Sequence, residues 1–141
     1  MALTVNIIMH VISTDDWNTA YASGFYTPPS LDADGFIHCS TFELTVETAN
    51  AFFSGQDGLM LLCIDADTCD AEVKFEPPAC TGDTRTDILF PHIYGPLNIS
   101  AVVKTTGFPC GADGTFVMPS GLSAMKSGTG EQKEGVTGVA G

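Results

Sequence analysis

The sequence contains few cations and no long apolar segment. Its 141 residues include five Lys and Arg against seventeen Asp and Glu, which gives a formal net charge of -12 at pH 7. A protein that binds nucleic acid or an anionic membrane needs rows of Lys and Arg to neutralise phosphates. A membrane-spanning helix needs roughly 18 or more continuous apolar residues, and no stretch of the sequence reaches that length. We therefore expect neither a nucleic-acid partner nor a membrane partner.

Signals for export, for a disulfide framework and for a zinc ribbon are also missing. The first segment, MALTVNIIMHVIS, has no basic n-region, has a histidine inside its apolar run and has no small-residue cleavage site, so we do not expect it to act as a signal peptide. The five cysteines are an odd number without a CxxC pair, and we interpret them as reduced thiols. They are Cys39, Cys63, Cys69, Cys80 and Cys110. These features favour a cytoplasmic location.

Length and composition favour one domain with a tail. With 44% apolar residues, a chain of this size can bury about two thirds of its unfolded surface around one core. No aromatic residue follows Phe116, and the end of the chain is rich in Gly, Ser and Thr. We predict a single globular domain over residues 1–119 and a flexible tail over residues 120–141.

The apolar pattern at the start of the chain predicts a strand followed by a helix. Residues 5–12 are apolar on both faces, which is typical of a central strand, and His10 is then expected to be buried. Residues 13–24 carry start and stop signals for a first helix, whose predicted apolar stripe includes Tyr21. Residues 26–33 contain Pro and are predicted to form a loop.

A second helix is predicted directly after a strand that carries His38. Residues 35–40 alternate as a strand does, with polar side chains placed where packing alone would not require them. Ser40 and Glu43 form an S-x-x-E capping box for the helix, and Gly55 ends it. The free N–H groups at such a helix start are a candidate anion site beside His38.

The rest of the chain is predicted to consist of strands and loops. Strands are predicted at residues 59–65, 73–76, 99–105 and 115–118, and a surface loop is predicted at residues 79–90. The predicted fold class is therefore α+β, with two early helices packed on a curved, mostly antiparallel sheet.

Only three histidines are present, and each lies in an apolar or aromatic setting: His10 in IIMHVI, His38 in GFIHCS and His92 in FPHIYG. An imidazole takes up or releases a proton near neutral pH, so these are candidate acids and bases, and we expect them to converge on one mostly apolar cleft. The alternative for each is a structural histidine that bonds a backbone carbonyl. Neither HxH nor HExxH spacing occurs, so no metal site is predicted.

Further candidate residues flank these histidines. Cys39 points to the opposite face from its histidine neighbour, so we interpret it as a packed thiol. Burial would raise the pKa of Glu76, whereas pairing with Lys74 would lower it. Tyr94 lies two residues beyond His92 and shares its face in an extended segment. The predicted catalytic residues are His38, His92, Glu76 and Tyr94, and the predicted substrate-binding residues are His10, Trp17, Tyr26, Phe36 and Ser40.

Several of these motifs resemble a known family. His10, Trp17 and Tyr26 are followed in order by GFIHCS, KFEP and FPHIYGPL. This series of motifs resembles the family named Domain of Unknown Function nine-five-two, over about residues 7–119. The resemblance implies a relationship to the ADP-ribosyltransferase fold, with a split, curved sheet whose first two strands line a cleft. In that fold a polar residue, an aromatic residue or histidine, and an acidic residue form the NAD-binding and catalytic set. Carried over by position, these are His10, then His38 or Tyr26, then Glu76.

Three functions from different classes follow. The first is an enzyme that moves protons on a small, largely uncharged substrate without a cofactor, as an isomerase, cyclase or lyase does. The second, implied by the resemblance, is an NAD-dependent ADP-ribosyltransferase or RNA 2'-phosphotransferase-like enzyme. It needs cationic or helix-end contacts for phosphates, and residues 1–119 hold only three Lys and Arg. The third is a non-catalytic module that binds a metabolite in an aromatic pocket.

Overall fold

Antiparallel sheets and short helices make up the computed structural model, which describes residues 6–78, 88–120 and 122. The strands are β1 Ile7–Ser13, β2 Phe25–Tyr26, β3 Ile37–His38, β4 Leu59–Asp65, β5 Val73–Glu76, β6 Phe90–Ile93, β7 Leu97–Asn98 and β8 Val102–Gly107. The helices are α1 Thr14–Ser23, α2 Ser30–Ala33 and α3 Thr45–Phe52, with single 3-10 turns at Ala66–Thr68 and Ile99–Ala101. The strands pair in the orders β1-β4-β8, β3-β6-β5 and β2-β7, every pair antiparallel. The predicted α+β class with mostly antiparallel pairing is confirmed.

In the β1-β4-β8 sheet, β1 and β4 are largely buried on both faces because they are apolar at successive positions. Ile8 and Leu62 belong to one hydrophobic cluster, and Met9 and Leu61 belong to a second cluster on the opposite face. All four side chains are fully buried. Alternation of side chains along each strand thus builds two half-cores that share one sheet.

A backbone bridge joins this sheet to the β3-β6-β5 sheet. The amide of Met9 donates to the carbonyl of Ser40 (2.7 Å), and the amide of Ser40 donates to the carbonyl of Met9 (2.8 Å). On the other side of this segment, β3 pairs with β6, so that His38 lies directly opposite His92. The bridge therefore brings the neighbour of Met9, His10, next to the strand pair that carries the other two histidines.

Helix α1 begins and ends where its sequence signals indicate. The side chain of Ser13 accepts a hydrogen bond from the amide of Asp16 (3.1 Å), and Gly24 adopts φ 90° while its amide donates to the carbonyl of Ala20 (2.8 Å). Tyr21 does not belong to the buried stripe, because it is 69% exposed, and Ala20 is the buried residue instead. In the described ranges of the chain, none of the helices has the length and apolarity to cross a membrane.

The predicted capping box for the second helix is wrong. Helix α3 begins at Thr45, after Leu44 as N-cap, and no side chain caps it. Ser40 is instead part of the bridge to β1, and its hydroxyl donates to Thr48 Oγ1 (3.4 Å). A turn separates Ser40 from Thr45, so His38 does not directly precede a helix start, and the predicted anion site beside it is not formed.

Other predicted boundaries also change. The predicted loop at residues 26–33 contains the end of β2 and the whole of α2, and the predicted strand at residues 35–40 is regular only over Ile37–His38. The predicted strand at residues 99–105 begins with a 3-10 turn and becomes β8 only at Val102. Residues 79–87 of the predicted loop, with Cys80, lie outside the described residues, as does nearly all of the predicted tail.

The predicted strand at residues 115–118 is absent, because a side chain takes the place of a strand partner. The amide of Phe116 donates to Asn50 Oδ1 (2.7 Å), and Asn50 Nδ2 donates to the carbonyl of Phe116 (3.4 Å). Phe116 is buried and stacks on Phe108, with ring centroids 4.8 Å apart. The Phe116 side chain is therefore buried, and its backbone N–H and C=O are hydrogen-bonded, without any strand pairing.

The buried side-chain amide of Asn98 holds the turn that follows β4. Asn98 Oδ1 accepts from the amide of Asp70 (2.8 Å), and Asn98 Nδ2 donates to the carbonyl of Thr68 (3.0 Å) and to the hydroxyl of Ser100 (2.9 Å). Asn98 is 5% exposed, so its side-chain amide depends on these partners rather than on water.

We expect Asn98→Ala to lower the free energy of unfolding by about 1 to 3 kcal/mol, because it removes the three hydrogen bonds of a buried side-chain amide. The matched control is Asn18→Ala on the exposed surface of α1, for which a change within about 0.5 kcal/mol is expected. Urea denaturation followed by circular dichroism measures both. Equal losses in the two variants would show that the Asn98 network does not stabilise the fold.

Candidate functional site

A cleft of about 980 Å³ is lined by residues of β1, β2, β3, β6 and α3. All three histidines of the chain, His10, His38 and His92, contribute to its wall. The volume is in the range of pockets that bind small molecules, roughly 300 to 1,000 Å³. Among the described residues of the wall there is no Lys or Arg, and the carboxylates are those of Asp16 and Glu47.

His92 is held in place by one carboxylate oxygen and one aromatic ring. Its Nδ1 lies 2.8 Å from Glu76 Oε1, and the hydroxyl of Tyr94 donates to the same oxygen (2.6 Å). The ring of Phe36 stacks on the imidazole with centroids 4.0 Å apart, and the His92 side chain is 3% exposed. Because a carboxylate accepts hydrogen bonds, Nδ1 carries the proton, and Nε2 is the acceptor of the neutral ring.

Strand geometry explains this arrangement. Side chains two residues apart on β6 share a face, which places His92 beside the Tyr94 that follows the strand end. In the ladder between β5 and β6, Glu76 lies opposite Phe90, one diagonal step from His92. Glu76 of one strand thus meets His92 and Tyr94, from another part of the sequence, on one face of the sheet.

The hydrogen bonds from Tyr94 and then His92 hold the pKa of Glu76 below its usual value. The sequence suggested that burial or pairing with Lys74 would set the pKa of Glu76, but neither is the main cause of its shift. The same hydrogen bond raises the pKa of Tyr94, because ionisation would remove the hydrogen that its hydroxyl donates to the carboxylate. Lys74 Nζ lies 4.8 Å from the centroid of the Tyr94 ring. Glu76 is therefore an anion that orients its neighbours.

His38 faces the same cleft from β3 with the opposite nitrogen engaged. Its Nε2 lies 2.8 Å from Asp34 Oδ2, and the side chain is 45% exposed. The imidazoles of His38 and His92 have centroids 5.6 Å apart and cross at 71°. One ring is thus sealed and the other is open to solvent, although they lie opposite each other in the ladder.

His10 has a partner for each ring nitrogen. Nδ1 lies 2.7 Å from the backbone carbonyl of His38, and Nε2 lies 3.1 Å from the hydroxyl of Tyr26. Burial of the imidazole lowers the pKa of His10 to about 4, and burial likewise raises the pKa of Tyr26. His10 lines the cleft, and the residue as a whole is only partly buried, whereas the sequence predicted full burial. Its bond to a carbonyl is the arrangement of a structural histidine.

The remaining predicted residues lie at different distances from the cleft. Ser40 and Cys39 are buried in its wall, and burial raises the pKa of the Cys39 thiol, which keeps it neutral. Phe36 packs behind the two histidines. Trp17 packs on the core and on Tyr21, with ring centroids 5.7 Å apart, and does not line the cleft. Within residues 6–78, 88–120 and 122, no group of three or more His, Cys, Asp or Glu side chains is arranged to hold a metal ion.

Sequence reasoning missed Asp34, the partner of His38. Asp34 precedes His38 by four residues, and Gly35 between them adopts φ 87°, which turns the chain back. The D-G-x-x-H spacing was a usable signal, because Gly at a left-handed position allows a side chain to meet a residue just beyond the turn. Asp16 was also missed, although its position in the first turn of α1 follows from the Ser13 cap.

Replacing the shared carboxylate tests the network around Glu76. We expect Glu76→Gln to shift the pKa of Tyr94 down toward the usual value for tyrosine, because the neighbouring negative charge is removed. A pH titration followed by NMR of ¹³C-labelled tyrosine rings measures it, with Glu43→Gln on the exposed turn before α3 as the control. An unchanged Tyr94 pKa in Glu76→Gln would contradict the arrangement.

The lowered pKa of His10 predicts a pH-dependent stability. Between pH 6.5 and 4 the unfolded chain binds a proton at this residue and the folded chain does not, so stability falls as pH falls through that window. The slope is at most about 1.4 kcal/mol per pH unit. In His10→Gln the amide can bond both partners without titrating, so urea denaturation at several pH values should give a shallower slope than the wild type. Identical slopes would refute the assignment.

Solved structures similar to this chain come from one bacterial protein. The crystal structure of protein CC0527 from Caulobacter crescentus matches with a TM-score of 0.68 and 34% sequence identity, covering 79% of this chain and 94% of that chain. A double mutant of CC0527 gives the same values, and its solution NMR structure matches with a TM-score of 0.60 and 32% identity over 77% of this chain and 90% of that chain. A search of curated proteins found no match.

The sequence profile of one family covers the residues that build the site. The family described as "Protein of unknown function (DUF952)" matches residues 11–105, a range that contains Tyr26, His38, Glu76, His92 and Tyr94. His10 lies one residue before the matched range. The predicted family resemblance is confirmed: this chain belongs to the DUF952 family.

Proposed function

We propose that this chain is an enzyme that moves protons on a small organic substrate in its cleft, without a cofactor, as an isomerase, cyclase or lyase does. The observation that supports this most strongly is the pairing of a carboxylate-held imidazole, His92 with Glu76, directly opposite a second imidazole, His38, on the wall of one cleft. Such a pair can remove a proton at one position and supply one at another.

His92 is assigned the role of general base. Its Nδ1–H bond to Glu76 leaves Nε2 as the basic nitrogen, and the carboxylate stabilises the imidazolium that forms when Nε2 takes a proton. Stacking on Phe36 and the bond from Tyr94 to the same carboxylate limit rotation of these groups. The ring is already ordered before substrate binds, so the reaction does not incur the entropy cost of fixing it for proton transfer.

His38 is assigned the role of general acid. Its Nε2 lies 2.8 Å from Asp34 Oδ2, which holds the ring in the cleft wall, and its exposure allows it to regain a proton from water after each turnover. With ring centroids 5.6 Å apart, both imidazoles can contact one small substrate. In one cycle His92 takes one proton from the substrate and His38 supplies one, so the number of protons on the product is unchanged. Each well-placed transfer contributes typically about 10² to 10⁴ in rate.

The charge of the cleft favours a substrate without phosphate groups. Its described wall has no Lys or Arg and has two carboxylate side chains, Asp16 and Glu47. The Asp16 carboxylate would repel a pyrophosphate placed beside it, and the described part of the wall offers no Lys or Arg to offset that repulsion. This supports a neutral or positively charged substrate for the proposed enzyme.

An NAD-dependent transferase of the ADP-ribosyltransferase-like fold is the second candidate. The contact between His10 and Tyr26 favours it, since these residues on the first two strands match positions that the family resemblance assigns to NAD. The third position, Glu76, does not line the cleft and bonds His92 and Tyr94 instead. Differential scanning fluorimetry with NAD and with ADP-ribose separates the two candidates. A concentration-dependent rise in melting temperature with either ligand would favour the transferase.

Solvent deuterium provides a test of proton transfer that does not require the substrate to be known. In D₂O with a pool of neutral and amine-bearing metabolites, we expect the protein to place deuterium on carbon in, or to convert, at least one compound, measured by mass spectrometry. His92→Gln should slow this reaction by about 10² to 10⁴. Lys104→Gln, on the exposed face of β8, is the matched control and should keep the wild-type rate.

Two outcomes would contradict the proposal. One is a folded His92→Gln variant that labels or converts the compound at the wild-type rate. The other is a metabolite that raises the melting temperature but is neither labelled nor converted, which would support a binding module instead.

A further inference from the structure

The two hydrogen bonds of the His10 ring, to the His38 carbonyl and to the Tyr26 hydroxyl, allow only one assignment of donors and acceptors. The chain starts at the backbone carbonyl of His38, which accepts and cannot donate, and which lies 2.7 Å from His10 Nδ1. Nδ1 must therefore carry the proton, and Nε2 of the neutral ring must accept. The hydroxyl hydrogen of Tyr26 is the donor to Nε2, over 3.1 Å.

Reversal of this direction is unfavourable. A proton on Nε2 instead of Nδ1 would place two lone pairs against each other at 2.7 Å. A proton on both nitrogens would release the hydroxyl hydrogen of Tyr26, but burial keeps the pKa of His10 at about 4, so the ring is neutral near pH 7. Near neutral pH the hydroxyl hydrogen of Tyr26 is therefore engaged with His10, and the oxygen can only accept further hydrogen bonds.

Tyr26 lines the cleft together with His10 and is 9% exposed. Its hydroxyl hydrogen is engaged with His10 Nε2, so the oxygen can bond a further group only if that group donates. Tyr26 thus contributes a largely buried acceptor to the residues of the cleft wall.

A carboxylate lines the same cleft as Tyr26. Asp16 belongs to the cleft wall in the first turn of α1, and after burial its negative charge is the next cause that raises the pKa of Tyr26. The Ser13 cap holds the backbone of Asp16 through its amide. Both groups are acceptors, and no cation lies in the described wall of the cleft.

We propose that Tyr26 and Asp16 form a subsite for an ammonium group of the substrate. This rests on the proposed function and narrows it, because the substrate of the proton transfer is then a small amine whose reacting carbon lies toward His92 and His38. The subsite and the reacting end are mechanically linked, since His10 bonds both Tyr26 and the backbone of His38. A carboxylate or phosphate at this position would face the lone pairs of the Tyr26 oxygen and the negative charge of Asp16.

Three ring compounds of similar size test the subsite: benzylammonium, benzyl alcohol and benzoate. In titrations at pH 7 followed by amide NMR shifts, benzylammonium should bind at least about tenfold more tightly than benzoate, with shifts at residues of the cleft wall. Asp16→Asn should weaken benzylammonium binding by about tenfold or more and leave benzyl alcohol nearly unchanged. Asp32→Asn on α2, outside the cleft wall, is the matched control and should keep the wild-type affinity for benzylammonium.

Tyr26→Phe supplies an independent variant, which should also weaken benzylammonium binding because the acceptor oxygen is removed. Equal or tighter binding of benzoate, no detectable binding of benzylammonium, or an unchanged affinity in Asp16→Asn would overturn the subsite. Failure here is distinct from failure of the proposed function, because no turnover is measured. His92→Gln should bind benzylammonium as the wild type does while it loses proton transfer.

Discussion

The hydrogen bond from His10 to the backbone of His38 links the two halves of the site. It spans 2.7 Å between a side chain on β1 and the carbonyl of a residue on β3, beside the backbone bridge of Met9 with Ser40. Its acceptor has no hydrogen, so it sets the tautomer of His10 and, through it, the direction of the bond from Tyr26. One backbone carbonyl therefore decides which groups of the cleft wall can donate and which can only accept.

The three histidines of the cleft have different environments, and these environments suit different tasks. His10 has both nitrogens bonded and a pKa of about 4, which suits a fixed structural link. His92 is sealed between a carboxylate and an aromatic ring, which suits a preorganised base, whereas His38 is almost half exposed and suits exchange of protons with water. Partner and exposure separate groups that have the same chemistry in isolation.

Local patterns in the sequence predicted strands and faces well, and they failed where distant residues compete. The strands at residues 59–65 and 73–76 followed from apolar runs and from the two prolines after the second, and the shared face of His92 and Tyr94 followed from alternation. The capping box failed because Ser40 bonds Met9, and the strand at residues 115–118 failed because Asn50 satisfies it. Both partners lie more than thirty residues away in the chain. Strand register, which sets His38 against His92, has the same non-local origin.

The most direct measurement of the central claim is the tautomeric state of the three imidazoles, read from long-range ¹H–¹⁵N NMR spectra at a pH where the rings are neutral. The structure predicts hydrogen on Nδ1 of His10 and of His92 and on Nε2 of His38, because those nitrogens face the His38 carbonyl, Glu76 and Asp34 respectively. With only three histidines in the chain, each state can be assigned separately. Three rings that all carry hydrogen on Nε2 would contradict the account, because neither His10 nor His92 would then have the bond that defines its role.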